Sequence, residues 1–283
     1  MTPIVNRRSV LAGSAAIAAA PAFAARRTLD LSDPKDSLTA FIKLSGSVTE
    51  AWVYSLYEGP LLAIVPGAVP QPVCGFAGLI KTRWTPEADG TFTQEIYDNG
   101  YFSDLDTGEI IDTLRNPLTG ETVRPQHFLV GPTTYTHGPG PRPWREIGDL
   151  ITVSTGRGLA VPNPFDPAQW PRESPGDQLI YHFATTYVGR RADLEDDSLS
   201  QASNTYTWNA FYSWLPWMLM GQRPGFVYWQ AQGRKLAGVD EVPDMMRTHI
   251  ANTWPSYLDD GAPWTGRKDT SQAYMAERRP AEE

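Results

Sequence analysis

Cysteine is almost missing from this 283-residue chain, which has Cys74 and no other. A single thiol makes no internal disulfide, so an oxidising compartment would add no covalent staple. Thiolate-held iron–sulfur clusters, multi-cysteine zinc sites and C-x-x-C-H haem attachment are excluded with it. The setting Val73-Cys74-Gly75-Phe76 is apolar and suits a buried, inert small hydrophobe better than a nucleophile. Positive charge is also in deficit: 24 Lys and Arg face 32 Asp and Glu, for a formal net charge of −8. Such a chain lacks the electrostatic footprint of a nucleic-acid binder, and anionic lipid headgroups repel it. Long apolar runs are missing too. The stretch Leu11–Ala20 is only about half of the roughly 20 residues that span a bilayer, so no stable membrane anchor is expected. There is no G-x-S-x-G, H-E-x-x-H, Walker loop or G-x-G-x-x-G. Gly156-Arg157-Gly158 lacks the third glycine, and Ser32-x-x-Lys35 is followed by neither S-D-N nor K-T-G. No cofactor is expected.

At the N-terminus, Asn6-Arg7-Arg8-Ser9-Val10-Leu11 sets two arginines ahead of a short, weakly apolar run, and Ala22-Phe23-Ala24 offers a small-x-small cleavage site. That order is the one a secretory signal requires. The arginine pair favours the twin-arginine (Tat) route. The expectation is a Tat signal peptide over 1–24 and one β-rich domain over 25–283. Its partner in export is the Tat machinery, and its destination is the periplasm.

Along the chain, 24 Gly and 25 Pro suit many short elements joined by tight turns. Asp33 as cap, Pro34 in the first turn and the stripe Leu38, Phe41, Ile42 predict a helix ending near Gly46. Ala51–Tyr57, Leu61–Val65, Phe76–Trp84 and Gln178–Val188 read as strands. Leu105-Asp106-Thr107-Gly108-Glu109 is echoed by Pro117-Leu118-Thr119-Gly120-Glu121. Glycine after a polar residue supplies a left-handed turn position. A meander of Tyr101–Asp104, Ile110–Leu114 and Thr122–His127 is therefore expected. Pro162 to Pro175 and the acidic Asp193 to Asp197 read as loops, Glu241–Trp254 as a helix, and Gly266 onward as a polar tail.

Several segments together resemble a known family. They are Leu31-Ser32-Asp33-Pro34, Val65-Pro66-Gly67, Tyr101 to Asp112, and Asn116-Pro117-Leu118-Thr119-Gly120-Glu121-Thr122-Val123. Trp214-Leu215-Pro216-Trp217-Met218-Leu219-Met220-Gly221-Gln222-Arg223-Pro224-Gly225 and Gly233-Arg234-Lys235-Leu236 complete the pattern. The pattern is similar to the bacterial family catalogued as domain of unknown function 1838. The resemblance spans nearly all of the chain after the signal segment. It implies export, since many members look Tat-exported, but no activity and no catalytic residue.

Chemistry gathers late in the chain. Tyr206, Trp208, Phe211, Tyr212, Trp214, Trp217, Phe226, Tyr228 and Trp229 crowd together with Met218 and Met220. Rings with a polar handle and adaptable thioethers suit a pocket for a flat, greasy ligand, as well as a plain core. Trp208, Tyr212, Trp217, Met218, Met220, Tyr181 and Arg223 are the candidate substrate contacts, with Arg223 the candidate anchor for a carboxylate or phenolate. His182 shares a strand face with Ile180, Ala184 and Thr186, opposite Tyr181, Phe183 and Tyr187. It is the leading proton-transfer candidate, with His127 and Tyr228 beside it. A metal site from His127, His137 and His182 is the weaker option, and Asp104, Glu109, Asp112 and Glu121 are candidate carboxylates. The expected fold is mainly β: an antiparallel barrel or half-barrel, calycin- or lipocalin-like, with a few flanking helices; the alternative is α+β. The expected function is binding of a hydrophobic or aromatic small molecule by a cofactor-independent lyase or isomerase. A non-catalytic binding protein and a metal-dependent enzyme with histidine ligands are the alternatives.

Overall fold

The computed structural model describes residues 28–261 and Trp264. The signal segment 1–24 and the tail from Gly266 lie outside the described residues. Helix α1 (Pro34–Ser45) starts as its sequence dictates: the Asp33 carboxylate accepts from the N–H groups of Lys35 and Asp36, each at 2.9 Å. Pro34 stands where a missing N–H costs nothing. Eleven strands follow among the described residues: β1 (Val53–Ile64), β2 (Gln71–Pro86), β3 (Phe92–Ser103), β4 (Leu114–Arg115), β5 (Thr122–Val123), β6 (Phe128–His137), β7 (Trp144–Ile147), β8 (Leu150–Pro162), β9 (Gln178–Arg190), β10 (Asn204–Tyr212) and β11 (Phe226–Lys235). Helices α2 (Arg191–Glu195) and α3 (Asp244–Thr253) complete the set.

Nine strands form one antiparallel sheet in the order β6-β3-β2-β1-β11-β10-β9-β8-β7, curled into a half-barrel. The order is cyclic. Every strand pairs with its sequence neighbours in the sheet, and β11 returns to pair with β1, setting Lys235 opposite Ser55. The one break is between β6 and β7, which follow one another in sequence yet form the two edges. Side chains alternate across the sheet. Tyr206, Ala210, Val227, Trp229 and Ala231 are buried in the concave cluster, with Trp208 and Tyr212 against it. On the convex side of β1–β3, Tyr54, Ala77, Leu79, Tyr97 and Tyr101 are covered by Met246 and Ile250 from α3 and by Trp254 and Tyr257 after it.

Helix α1 plugs one end of the curl. The Phe41 ring lies 5.8 Å from Trp84 on β2, 5.8 Å from His137 on β6 and 6.0 Å from Tyr187 on β9. Trp144 of β7 donates its indole N–H to the Ser37 hydroxyl at 2.9 Å. The helix thus touches both strands of the open seam. Three buried lysines fasten the layers, each donating to two carbonyl oxygens. Lys235 reaches Lys43 and Gly46 at the end of α1, Lys43 reaches Leu194 and Asp196, and Lys81 reaches Tyr257 and Asp259. Burial pulls the Lys235 ammonium down to about 7, because the charged form is what desolvation disfavours.

The expected β architecture is present, but several elements differ in detail. Ala51–Tyr57 and Leu61–Val65 are one strand. Gly59-Pro60 interrupts its ladder with β11, where proline has no N–H to donate, while pairing to β2 runs on through Gly59–Phe76 and Pro60–Gly75. The expected meander contracts to the β4–β5 pair and a single bridge between Ser103 and Ile110. The two echoing loops are alike: Gly108 bonds back to Asp104 and Gly120 to Asn116, both glycines at φ 73. The turns consume most of the repeat and leave little length for strand. The acidic stretch is no plain loop, since α2 buries Leu194 within it. Pro243 delays the last helix to Asp244.

Replacing Asp33 with alanine strips two N–H groups of their acceptor. The expected loss is about 1 kcal/mol, seen as a fall in Tm of roughly 2–4 °C by calorimetry. No change in Tm would mean that packing alone sets the start of α1.

Candidate functional site

The concave face is open at the end away from α1. There a cavity of about 440 Å³ lies among β1, β3, β6, β9, β10 and β11, roofed by Phe165, Pro175, Leu215 and Trp217 from two loops. Its size is that of a site for one small molecule. Rings make the walls. Trp208 stands 6.0 Å from Tyr57, 6.3 Å from Tyr212 and 6.0 Å from Trp229, and Phe102 stands 5.1 Å from Trp217.

The roof is held by polar contacts that the sequence encodes nearby. In the Pro-rich loop, Asn163 donates to the Ser174 hydroxyl at 2.8 Å and to the Gly176 carbonyl at 2.6 Å. Gly221 donates to the Arg172 carbonyl at 2.7 Å, joining the two roof segments. Arg172 also pairs with Glu121 in the turn between β4 and β5. The buried Asn116 amide donates to the Met218 carbonyl at 2.7 Å, bracing the turn Pro216–Met218. Two of the sequence patterns, Asn116 to Val123 and Trp214 to Gly225, are therefore one structural unit.

At the floor sits a carboxyl group. The Tyr57 hydroxyl lies 2.9 and 2.8 Å from the two oxygens of Asp98 and donates to them. Tyr57 reaches Asp98 across β2 because Gly78 lies between. A Cβ on Gly78 would come 2.3 Å from the Tyr57 ring, a distance no packing tolerates. Burial pushes the Asp98 carboxyl up to about 7, against the lowering effect of the Tyr57 hydrogen bond. The same burial, with Asp98 adding to it, holds the Tyr57 and Tyr212 hydroxyls above their ordinary range. A carboxyl that titrates near neutrality in an apolar pocket is equipped to give and take protons.

The structure brings some of the sequence candidates together and separates others. Tyr181, Trp208, Tyr212 and Trp217 line the cavity. Met218 and Met220 are buried in the concave cluster behind that lining. Arg223 is exposed, and its carbonyl accepts from the Trp214 indole at 2.7 Å. His182 and Tyr228 belong to the convex face. His182 is exposed with its ring 6.4 Å from Phe211, and Tyr228 stacks on Phe211 at 4.6 Å and donates to Asn209. His127 sits beside the cavity, accepting from the Phe102 N–H at 3.1 Å, with its ring 5.5 Å from that of His249. His137 is far along β6, bonded to Gln94 at 3.1 Å and packed on Trp84. The three histidines are not assembled, and among the described residues no group of three His, Cys, Asp or Glu is placed to hold a metal ion.

Sequence reading missed Asp98 and Tyr57. Tyr97-Asp98-Asn99-Gly100 looks like a turn, yet it lies mid-strand. Asn99 donates to Thr253 of the helix α3 turn at 2.9 Å, and a Cβ on Gly100 would come 2.3 Å from Phe128. The available signal was parity: Asp98 falls on the same strand face as Ile96, Gly100 and Phe102.

Together these features define a mainly antiparallel half-barrel protein with an aromatic-walled cavity around a buried carboxyl. The chain belongs to the family described as protein of unknown function (DUF1838), whose profile matches residues 50–278. No curated protein matches the chain.

The raised Asp98 carboxyl has a stability consequence. An unfolded aspartate titrates near ~3.9, so between that pH and about 7 the folded state binds more protons. The contribution of Asp98 to stability is therefore complete below ~3.9, declines across that window and is lost once the pH has risen through about 7. Asp98→Asn removes the decline. Urea unfolding at pH 5 and pH 8 is expected to show the variant gaining on the parent by about 1–3 kcal/mol at the higher pH. Parallel pH profiles would show that the carboxylate is well solvated.

Proposed function

We propose that the cavity binds one hydrophobic, ring-bearing small molecule and that Asp98, assisted by Tyr57, exchanges a proton with it. The reading is a lyase or isomerase that needs no cofactor. The observation that carries it is the Tyr57–Asp98 pair, set within hydrogen-bond distance at the floor of a largely aromatic and apolar cavity. A structural carboxyl has no need of such a place, where desolvation costs it several-fold more than at the surface. A base must be close to the proton it takes and have a pKa near the working pH, and Asp98 meets the second condition. In the same reading the protein acts in the periplasm after Tat export, on the strength of Arg7-Arg8 and Ala22-Phe23-Ala24.

The uncharged dye N-phenyl-1-naphthylamine serves as the binding probe. Its emission is expected to rise on mixing, with affinity at least tenfold weaker in Trp208→Ala and in Tyr181→Ala. Phe211→Ala on the convex face is expected to leave it unchanged. For the chemistry, 2-tetralone in deuterated buffer is followed by proton NMR. Deuterium uptake next to the carbonyl is expected to exceed that with Asp98→Asn by about 100-fold or more. Dye binding with equal uptake in both proteins would leave a binding protein without turnover; absent dye binding would remove the reading altogether.

A further inference from the structure

The charge of the cavity narrows what can enter it. Among the described residues lining it, Asp98 is the only one with a formal charge; no Lys, Arg or His contributes. Cations elsewhere in the fold have other places. Lys235 and Lys43 hold carbonyl oxygens at the α1 end, Arg172 pairs with Glu121 outside the roof, and Arg223 is exposed. A bound anion would face a carboxylate with nothing to offset either charge, an arrangement that burial makes costly.

The rings act in the same direction as the carboxylate. An aromatic ring is negative on its face, and a cation over that face is attracted by about 0.5–2 kcal/mol, more when desolvated. Tyr57, Trp208, Tyr212 and Trp229 form a contiguous wall, each within 6.3 Å of a neighbour by centroid, and Tyr57 is bonded directly to Asp98. The Asp98 carboxylate and the ring faces of this wall therefore both favour positive charge at that floor.

We propose that the natural ligand is an organic cation, an amine or quaternary ammonium on an apolar ring body, with its nitrogen seated against the Asp98 carboxylate and the surrounding ring faces. This rests on the cavity being a small-molecule site. It assigns Asp98 a second role as the counter-charge that selects the ligand, and it gives the four-ring wall a specific task.

The test uses a series matched in shape: benzyltrimethylammonium, the uncharged neopentylbenzene and the anionic phenylacetate, each displacing N-phenyl-1-naphthylamine from the full chain. At pH 8 the ammonium compound is expected to compete at least tenfold better than the uncharged one, and the carboxylate not to compete. Asp98→Asn is expected to lose the preference and still bind the dye. The preference is also expected to fade toward pH 5. The titratable groups about Asp98 are Tyr57, Tyr206, Tyr212 and Tyr257, all held neutral by burial over that range. The neighbouring His127 meets Phe102 and His249, and Asp98→Asn retains it, so any fading that survives in the variant belongs to another group. Uncharged or anionic competitors matching the ammonium compound, with the dye still bound, would overturn the inference while leaving the site standing. Failure of the dye to bind at all would take the site with it.

Discussion

A sheet whose strands follow a ring order but never close must be sealed by something other than backbone hydrogen bonds. Here that seal is the α1 wedge. Its Phe41 ring meets Trp84, His137 and Tyr187, and its Ser37 hydroxyl accepts a hydrogen bond from the Trp144 indole, so one helix bridges both lips of the β6–β7 seam. Unpaired strand edges invite pairing with other chains, and the helix covers part of that liability. The Lys235 ammonium, tied to the Lys43 and Gly46 carbonyls, fastens the wedge to the sheet's central strand pair. The curl holds its shape because the helix fills one end of it.

The opposite end is consequently free to be hollow. With α1 supplying apolar contact at its own end, the inward residues of β9, β10 and β11 near the roof need not meet one another across the gap. What they enclose is decided by two small residues. Gly78 lets Tyr57 lie flat over β2, and Gly100 admits the Phe128 ring against the next strand. Between them Asp98 is drawn into an environment that resists its ionisation. The polar pair at the floor and the greasy walls are two products of one strand alternation.

Much of this was legible in the residues. The cap at Asp33, the β content, the Gly108 and Gly120 turns and the alternation of β9 follow from local rules that neighbours do not override. Which side of an alternating strand faces inward is another matter. In β9 both faces carry apolar groups, Ile180 and Ala184 on one and Tyr181 and Phe183 on the other, so the pattern gives two faces without ranking them. The convex placement of His182 came from the curl, which is a property of nine strands together. Asp98 was hidden for the converse reason, since Asp-Asn-Gly is turn chemistry by itself and becomes strand only when β2, β6 and α3 hold it there.

The ladder between β1 and β11 joins Ser55 to Lys235, segments from opposite ends of the described chain. These are the middle strands of the sheet, so its centre is assembled from the most widely separated pieces of sequence. Loop closure over such a span must precede the reward of pairing, and topologies of that kind fold slowly. A ribosome releasing this polypeptide would have to finish nearly all of it before the middle of the sheet could zip. Until then each half carries a bare edge, β1 on one and β11 on the other, and the protein reaches its native state only as a whole.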